Sequence, residues 1–445
     1  MIEKTTLSAA QLATNFADLH PAFSRDEAVT DASKCLFCYD APCMRACPTG
    51  IDVPKFIRQI LHDNPAGAAE TILEENILGG SCARACPTEV LCEGACVDRT
   101  LLNSPVQIGR LQRYATDYAA DQGLWFFEPG PPTGKTVAII GSGPAGLSCA
   151  HHLRMMGHAV TIFEARDVPG GLNSLGISAY KITTEFSLSE IQPILDMGVD
   201  LRLGHRVDAA GLAALRKQYD AVFVAVGLGS TAQLNLPGED VAGVFESLEF
   251  IFQSHTGPIS ECVVGENVVV LGAGNTAVDA ATQAVRLGAK KVTIAYRRTA
   301  AEMSAFNYEY ELAKSDGIEF CWSAMPLEFL EDAGRLTGIM MCRVTPNEDA
   351  GDGQPTSNGR QAKLTPVPGS EFFLPCDMAI KALGQTPVLA HLGLDAIKKG
   401  PGGTTSMSGL YVGGDCTHKG AEIVDAVQDG KVAARGIDAY LKGSL

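Results

Sequence analysis

Two stretches of the chain repeat one pattern of apolar and polar positions. Residues 135–165, "KTVAIIGSGPAGLSCAHHLRMMGHAVTIFEA", run from an apolar segment through a glycine-rich turn and a small-residue segment to a second apolar segment. Residues 266–298, "ENVVVLGAGNTAVDAATQAVRLGAKKVTIAYRR", follow the same order. This order predicts a strand, a helix and a second strand, the first unit of a dinucleotide-binding fold. Because the unit occurs twice, we expect two nucleotide sites.

The region before these units has a different pattern. "VPKFIRQILHDNPAGAAETILEEN" and "PVQIGRLQRYATDYAADQ" carry apolar residues at helical spacing. The segment "EPGPPTGK", residues 128–135, interrupts this pattern with prolines and glycines and is typical of a linker. We therefore expect an α-helical N-terminal domain followed by α/β domains of the Rossmann type.

Composition and charge narrow the function classes. The 445 residues are 46% hydrophobic and carry a formal net charge of −16. This charge, with no Lys/Arg run, argues against nucleic acid or an anionic membrane as a partner. The N-terminus does not have the pattern of a signal peptide, and no apolar run approaches the ~18 residues that span a bilayer. We expect a cytoplasmic protein.

The first glycine-rich turn has the spacing G-x-G-x-x-G. Gly141, Gly143 and Gly146 allow a tight turn that presents backbone N–H groups and a helix N-terminus to a pyrophosphate. Glu164 ends the next strand, where a carboxylate accepts hydrogen bonds from ribose hydroxyls. The predicted dinucleotide-binding residues here are Gly141, Ser142, Gly143, Pro144, Ala145, Gly146 and Glu164.

The second turn has the spacing G-x-G-x-x-A. Its predicted binding residues are Gly272, Ala273, Gly274, Asn275 and Thr276. Arg297 and Arg298 follow the second strand, where an NAD-selective fold often has an acid; two guanidinium groups there favour the 2'-phosphate of NADPH. A solvent-exposed arginine pair is the alternative, so NADH and NADPH both stay open.

The N-terminal region also contains eight of the fourteen cysteines. They form the runs C-x2-C-x4-C-x3-C-P and C-x3-C-P-x3-L-C-x3-C, a spacing that suits iron–sulfur clusters or zinc. Structural zinc more often uses two separated C-x2-C pairs, so we favour iron–sulfur clusters. The six later cysteines are each alone, which disfavours a redox disulfide beside a flavin.

The late segment "GLYVGGDCTHKGAEIVDAVQDGKVAARGI", residues 409–437, resembles the flavoproteins with two dinucleotide-binding domains. In that family the Gly-Asp element returns to the first domain and contacts FAD, and the following helix directs its positive end at the flavin. The resemblance, together with "GGL" at 170–172, implies FAD contacts from Gly171, Leu172, Gly414 and Asp415.

The whole chain resembles a narrower family, the electron-input half shared by dihydropyrimidine dehydrogenase and the small subunit of bacterial glutamate synthase. The most specific segments are "CLFCYDAPCMRACPTGID", "GGSCARACPTEVLCEGACV" and "QIGRLQRYATDYA". The resemblance implies two 4Fe-4S clusters whose ligands cross between the runs: Cys35, Cys38, Cys43 and Cys96 for one, and Cys47, Cys86, Cys92 and Gln112 for the other. Cys82 then binds no iron, although the residues alone favour Cys82 over Gln112.

The same resemblance extends the cofactor sites. It implies further FAD contacts from Lys181, Val207, Ala421, Glu422 and Ile423, and nicotinamide contacts from Lys381, Ala382 and Leu383. Two positions depart from the family: Lys181 stands where related enzymes have arginine, and Ser304 replaces a second arginine of the nicotinamide site.

We therefore expect a helical two-cluster iron–sulfur domain (1–134), an FAD domain (135–245 and 375–445) and an inserted NAD(P) domain (246–374). Electrons are expected to pass from NADH or NADPH through FAD and the clusters to a catalytic FMN and iron–sulfur subunit, in a hetero-oligomer that reduces uracil and thymine. No catalytic side chain is required. The alternatives are a subunit of glutamate synthase or a related ferredoxin-type complex, and a non-catalytic zinc- and nucleotide-binding scaffold.

Overall fold

The computed structural model describes residues 3–346, 364–395, 397–418 and 420–443. The chain divides into two compact units. We call Asp18–Gly229 with Pro387–Leu445 the main unit, and Met1–Ala17 with Ser230–Thr386 the insert unit. The expected domain boundaries stay a prediction. The first residues belong to the insert unit because helix α1 (Ala9–Asn15) buries Leu12 in that unit's core.

The start of the main unit is helical, as the spacing of apolar residues predicts. Phe56, Ile57, Ile72 and Leu111 meet in one core there. The side chains of Ser24, Asp52 and Asn64 accept hydrogen bonds from backbone N–H groups, which explains where three of the helices begin. The helices are α2 (Arg25–Ala32), α3 (Pro42–Arg45), α4 (Val53–Leu61), α5 (Pro65–Glu75), α6 (Gly79–Ala85), α7 (Val97–Leu102) and α8 (Ile108–Asp121).

Strands and helices then alternate. The chain continues through β1 (Thr136–Ile140), α9 (Pro144–Met155), β2 (Ala159–Phe163), α10 (Leu172–Leu175), α11 (Thr184–Asp196), β3 (Asp200–Arg202), α12 (Ala209–Gln218) and β4 (Ala221–Val224). The pairs β1–β2 and β1–β4 are parallel, with Val137 opposite both Val160 and Ala221. Apart from Thr136 and Thr161, these strands are apolar, because helices cover both faces of such a sheet.

The insert unit has its own parallel sheet. Strand β5 (Leu228–Thr231) begins in the main unit and ends in the insert unit. The insert unit continues with β6 (Val244–Glu246), α13 (Ser247–Thr256), β7 (Asn267–Leu271), α14 (Asn275–Arg286), β8 (Lys291–Tyr296), α15 (Asn307–Ser315), β9 (Glu319–Trp322), β10 (Ala324–Asp332), β11 (Arg335–Pro346), β12 (Leu364–Pro366), β13 (Phe372–Pro375), β14 (Met378–Lys381) and β15 (Gln385–Pro387). The parallel order is β6-β14-β7-β8-β9, and β10 to β13 form a separate antiparallel sheet.

The chain then completes the first sheet. Strand β16 (Leu410–Val412) pairs in parallel with β4, which gives the order β16-β4-β1-β2-β3. Helix α16 (Asp415–His418) follows, and α17 (Ile423–Leu441) packs along α9 with Gly430 against the backbone of Ala145. The late strand and helix thus return to the first domain as expected. In the described ranges every helix is too short or too polar to cross a lipid bilayer.

Candidate cofactor-binding sites

The thiols of the N-terminal region fall into two groups, and neither group comes from one run. Cys35, Cys38, Cys43 and Cys96 line one cavity, whose other walls are largely apolar. Burial raises the pKa of the Cys43 thiol to about 11, and the nearby thiols of Cys35 and Cys96 add to the rise. Cys96 therefore joins three residues of the first run, the arrangement that the family resemblance implies.

The second group surrounds Cys86 at the end of α6. The pKa of the Cys86 thiol is raised first by a hydrogen bond with Cys82, then by burial and by the thiols of Cys92 and Cys47. The pKa of Cys92 is raised by burial, with Glu93 and Cys47 contributing. Cys47 thus lies with the second run, and the structure brings it together with Cys86 and Cys92.

Two residues compete for the fourth position of this group. Cys82 is buried on α6 beside Cys86. Gln112 is buried on α8, and its Nε2 donates a 2.7 Å hydrogen bond to the Gly79 carbonyl at the start of α6. That bond fixes the amide and leaves its Oε1 free to act as a ligand. Cys82 therefore belongs to α6, and Gln112 faces α6 from α8.

These groups suit a metal–sulfur cofactor. Within the described ranges, no three His, Cys, Asp or Glu side chains form a group that could hold a single metal ion. The first four thiols instead line the wall of a cavity with Val53, Ile57, Val106 and Ile108. Thiolates in a dry, apolar pocket are the donor set that iron–sulfur clusters use.

The first glycine-rich loop is shaped by close backbone contacts. Gly141 has a φ of +104°, and a Cβ there would lie 2.4 Å from the Ala225 carbonyl. A Cβ on Gly146 would lie 2.0 Å from the Gly141 carbonyl, whereas a Cβ on Gly143 meets nothing within 4 Å. Helix α9 begins after Gly143 without a side-chain cap. The loop therefore presents free N–H groups on an open side, which fits a dinucleotide pyrophosphate.

Glu164 is buried at the end of β2 and holds this loop. Its Oε2 accepts hydrogen bonds from Ser142 N at 2.9 Å and Ser142 Oγ at 2.6 Å. Its Oε1 accepts one from Arg166 N at 2.9 Å. The sequence predicts a ribose contact here; the structure adds a contact to the loop itself.

Two further predicted FAD segments, Gly171–Leu172 and Gly414, lie against the same loop. Gly170 N donates to the Ser142 carbonyl, and a Cβ on Gly171 would lie 3.0 Å from Gly143 Cα. This places Leu172 at the start of α10 beside the loop. A Cβ on Gly414 would lie 3.0 Å from Ala145 Cβ.

Asp415 follows directly after this Gly-Asp turn. Its Oδ1 accepts a hydrogen bond from Ala421 N, and burial raises the pKa of its carboxyl. Glu422 caps α17, and Ile423 is the first residue of that helix. Lys181 lies over the Tyr180 ring and Val207 packs against an apolar core of the main unit.

The second loop resembles the first but rests on a different segment. Gly272 has a φ of +128°, and a Cβ there would lie 2.1 Å from the Ala382 carbonyl. Ala382 N donates in turn to the Leu271 carbonyl. The predicted segment Lys381–Leu383 thus lies against the loop. Asn275 Oδ1 accepts a hydrogen bond from Phe306 N, and Thr276 is exposed.

The charged residues near this loop differ in their surroundings. Arg297 is exposed, whereas Arg298 is buried and its Nη1 lies 3.0 Å from Glu302 Oε1. Lys381 is buried with its Nζ 2.7 Å from Glu239 Oε1. The pairing of Lys381 with Glu239 was not predicted, because 142 residues separate the two in sequence.

The fold and these sites define an iron–sulfur flavoprotein oxidoreductase, and comparisons with known proteins agree. Residues 135–430 match the model of the pyridine nucleotide-disulphide oxidoreductases, and residues 12–124 match dihydropyrimidine dehydrogenase domain II, a 4Fe-4S domain. The chain belongs to the pyridine nucleotide-disulphide oxidoreductases and carries an N-terminal 4Fe-4S domain in addition to the FAD- and NAD(P)-binding domain.

Curated relatives match most of the chain. The chain is 34% identical to the NAD-dependent dihydropyrimidine dehydrogenase subunit PreT of Escherichia coli, over 97% of this chain and 98% of that protein. It is 31% identical to the glutamate synthase [NADPH] small chain of Azospirillum brasilense, over 98% and 93%. The NADP(+)-dependent formate dehydrogenase subunit beta of Moorella thermoacetica is 34% identical over 90% of this chain, which spans 60% of that subunit's length.

A solved structure shows the same fold. The FprA protein of Mycobacterium tuberculosis in complex with NADPH superposes with a TM-score of 0.57 and 19% identity. The match covers 71% of this chain and 86% of that one. At this identity the likeness concerns the fold alone.

Proposed function

We propose that this protein takes electrons from NADH or NADPH and passes them through FAD and two 4Fe-4S clusters to a partner subunit that reduces uracil and thymine, reversibly, to their 5,6-dihydro forms. The near end-to-end match with a dihydropyrimidine dehydrogenase subunit carries this proposal. The crossed grouping of the cysteine thiols supports it.

The FAD site is proposed at the first loop. Backbone N–H groups of Gly143, Ala145 and Gly146 would bind the pyrophosphate, and Glu164 would hold the loop and the ribose. Asp415 and the N-terminus of α17 would bind the rest of the cofactor. Bound FAD would supply hydride acceptance and the clusters single-electron transfer, so the chain would need to contribute no acid, base or nucleophile.

The nicotinamide cofactor is proposed at the second loop, Gly272–Ala277. Arg297 offers an exposed guanidinium for a 2'-phosphate, while Arg298 is engaged with Glu302. One related protein is named for NAD and another for NADPH, so both cofactors belong in the assay.

The clusters are proposed in the two thiol groups. Cys35, Cys38, Cys43 and Cys96 would hold one cluster in the apolar cavity, and the other would be held by Cys47, Cys86, Cys92 and Gln112. The polypeptide fixes the ligands and excludes water around them, which sets the potential of each cluster.

The first experiment asks what the protein contains. Anaerobically purified protein should contain about eight iron per chain, the content of two 4Fe-4S clusters, and should be bleached by NADH or NADPH. Two zinc per chain and no iron would identify the non-catalytic scaffold and contradict the proposal.

The second experiment asks which partner accepts the electrons. With a candidate FMN and iron–sulfur subunit added, we expect NAD(P)H oxidation that depends on uracil and yields dihydrouracil. The matched arm replaces that partner with a glutamate synthase large subunit and measures glutamate. Glutamate formation without uracil reduction would identify the second candidate function, which the match to the glutamate synthase small chain favours.

A further inference from the structure

One lysine of the last helix is buried against the cysteine-containing region. Lys431 on α17 is 3% exposed, and both partners lie in the main unit with it. Its Nζ donates to the Thr49 carbonyl at 3.0 Å and to the Glu75 carbonyl at 3.3 Å, and it forms an ion pair with the Glu75 carboxylate. A buried ammonium is costly unless its donors are used, and here all three have an acceptor.

Thr49 in turn contacts a cysteine. It follows Cys47 and Pro48, is 3% exposed, and its Oγ1 lies 3.3 Å from Cys47 Sγ. In a thiolate ligand the sulfur has no proton, so the hydroxyl must be the donor of this hydrogen bond. Hydrogen bonds to ligand sulfurs are one of the factors that set the potential of an iron–sulfur cluster.

We infer that Thr49 donates a hydrogen bond to Cys47 Sγ that raises the reduction potential of the cluster held by Cys47, and that Lys431 is the positioning residue that holds Thr49 in place. The direction follows because reduction adds negative charge to the cluster and its sulfurs, which a hydrogen-bond donor stabilises. This inference rests on the proposed function, since it requires a cluster at Cys47.

Helix α17 gives the contact a further role. The same helix presents its N-terminus at the proposed FAD site and its Lys431 at the loop that contains Cys47. The lysine therefore ties the element that faces the flavin to a ligand of a cluster.

The chain contains a matched control. The sequence Cys-Pro-Thr occurs again at Cys86-Pro87-Thr88. There the threonine hydroxyl bonds the Glu93 carboxyl. Two threonines in the same local sequence thus have different partners, one a sulfur and one a carboxyl group.

The test is a redox titration of the full-length protein with mediators and without NAD(P)H, followed by electron paramagnetic resonance of the reduced clusters. In Thr49→Val we expect the reduced-to-oxidised ratio of one cluster to fall about tenfold at the wild-type midpoint, a shift of ~59 mV for one electron. Lys431→Met should shift the same cluster in the same direction. Thr49→Ser should restore the wild-type midpoint, and Thr88→Val should leave it unchanged.

Unchanged midpoints in Thr49→Val, or equal shifts in Thr49→Val and Thr88→Val, would overturn the inference while leaving the proposed function intact. Iron analysis separates the two: wild-type protein without iron contradicts the proposed function itself. If Lys431→Met does not fold, the Thr49→Val and Thr49→Ser pair still decides the question.

Discussion

The two glycine-rich loops are built from the same elements but stabilised in different ways. At the third small residue, the first loop has Gly146, where a Cβ would lie 2.0 Å from the Gly141 carbonyl. The second loop has Ala277 at the matching position, fully buried with its Cβ in place. Helix α9 therefore approaches its own loop more closely than α14 does, and the first loop has no space for a methyl group.

The charged residues at the strand ends differ as well. Glu164 accepts hydrogen bonds from Ser142 within the first loop, whereas Arg298 pairs with Glu302, which caps the turn at Thr299. The first loop is thus held by a buried carboxylate. Near the second loop, the carboxylate of Glu302, which pairs with Arg298, is 44% exposed. The first site is built to tolerate less change than the second.

The largest effect is expected from Gly146→Ala. The added methyl would overlap the Gly141 carbonyl, so the loop and α9 must separate. We expect FAD affinity to fall more than 100-fold, measured as flavin retained per chain after gel filtration. The matched change Ala277→Gly should alter nicotinamide affinity less than threefold. Full flavin retention in Gly146→Ala would remove the difference between the loops.

A smaller effect is expected from Glu164→Gln. The amide has no negative charge to strengthen the hydrogen bonds from Ser142 N and Oγ, and its own N–H group can face these donors. We expect this to cost about 1.5–3 kcal/mol of interaction free energy. FAD should bind ~10–100-fold more weakly by fluorescence titration. Glu302→Gln is the control, and its partly exposed carboxylate should contribute under ~1 kcal/mol to NAD(P)H binding. Equal losses in both variants would contradict the comparison.

The smallest effect concerns pH. His151 on α9 and Thr282 on α14 occupy matching positions, and among the described residues neither side chain has a hydrogen-bond partner. Burial lowers the pKa of His151 to about 3 from the ordinary 6.5, with a contribution from His152. Below pH 6.5 the unfolded state binds the proton more readily, so stability present above pH 6.5 is lost as pH falls toward 3.

Between pH 8 and pH 5 the free energy of unfolding of the parent protein should fall. In His151→Leu we expect this fall to be smaller by about 2 kcal/mol. Denaturant unfolding of the FAD-loaded protein, followed by flavin fluorescence, measures this difference. Thr282→Val should leave the pH profile of the parent unchanged. If the stability of His151→Leu falls with pH in parallel with that of the parent protein, the imidazole of His151 is not the acid-sensitive group.

Local patterns predicted the nucleotide-binding units well. The strand Thr136–Ile140 and the helix after Gly143 lie where the sequence indicates them, because glycine spacing and apolar periodicity are local signals. The grouping of Cys96 with the first cysteine run followed only from the family resemblance. Spacing alone treats each run as one site.

Contacts between distant segments could not be predicted. The Lys381–Glu239 pair, the contact of Lys431 with Thr49 and the antiparallel strands β10 to β13 all depend on segments that meet only in the folded chain. The packing of α1 in the insert unit is of the same kind. Its short apolar pattern gives no sign of which of two cores will bury Leu12.

The insertion of one unit into the other also orders the events of synthesis. Strand β4 ends at Val224, and its sheet neighbour β16 begins at Leu410, after the whole insert unit. A ribosome that adds ~5–20 residues per second leaves β4 with an open edge for on the order of ten seconds or more. During that time the exposed edge is open to pairing with another nascent chain. Rapid folding of the insert unit brings its first and last residues, Ser230 and Thr386, together. This would shorten the time for which the edge of β4 stays open after Leu410 emerges.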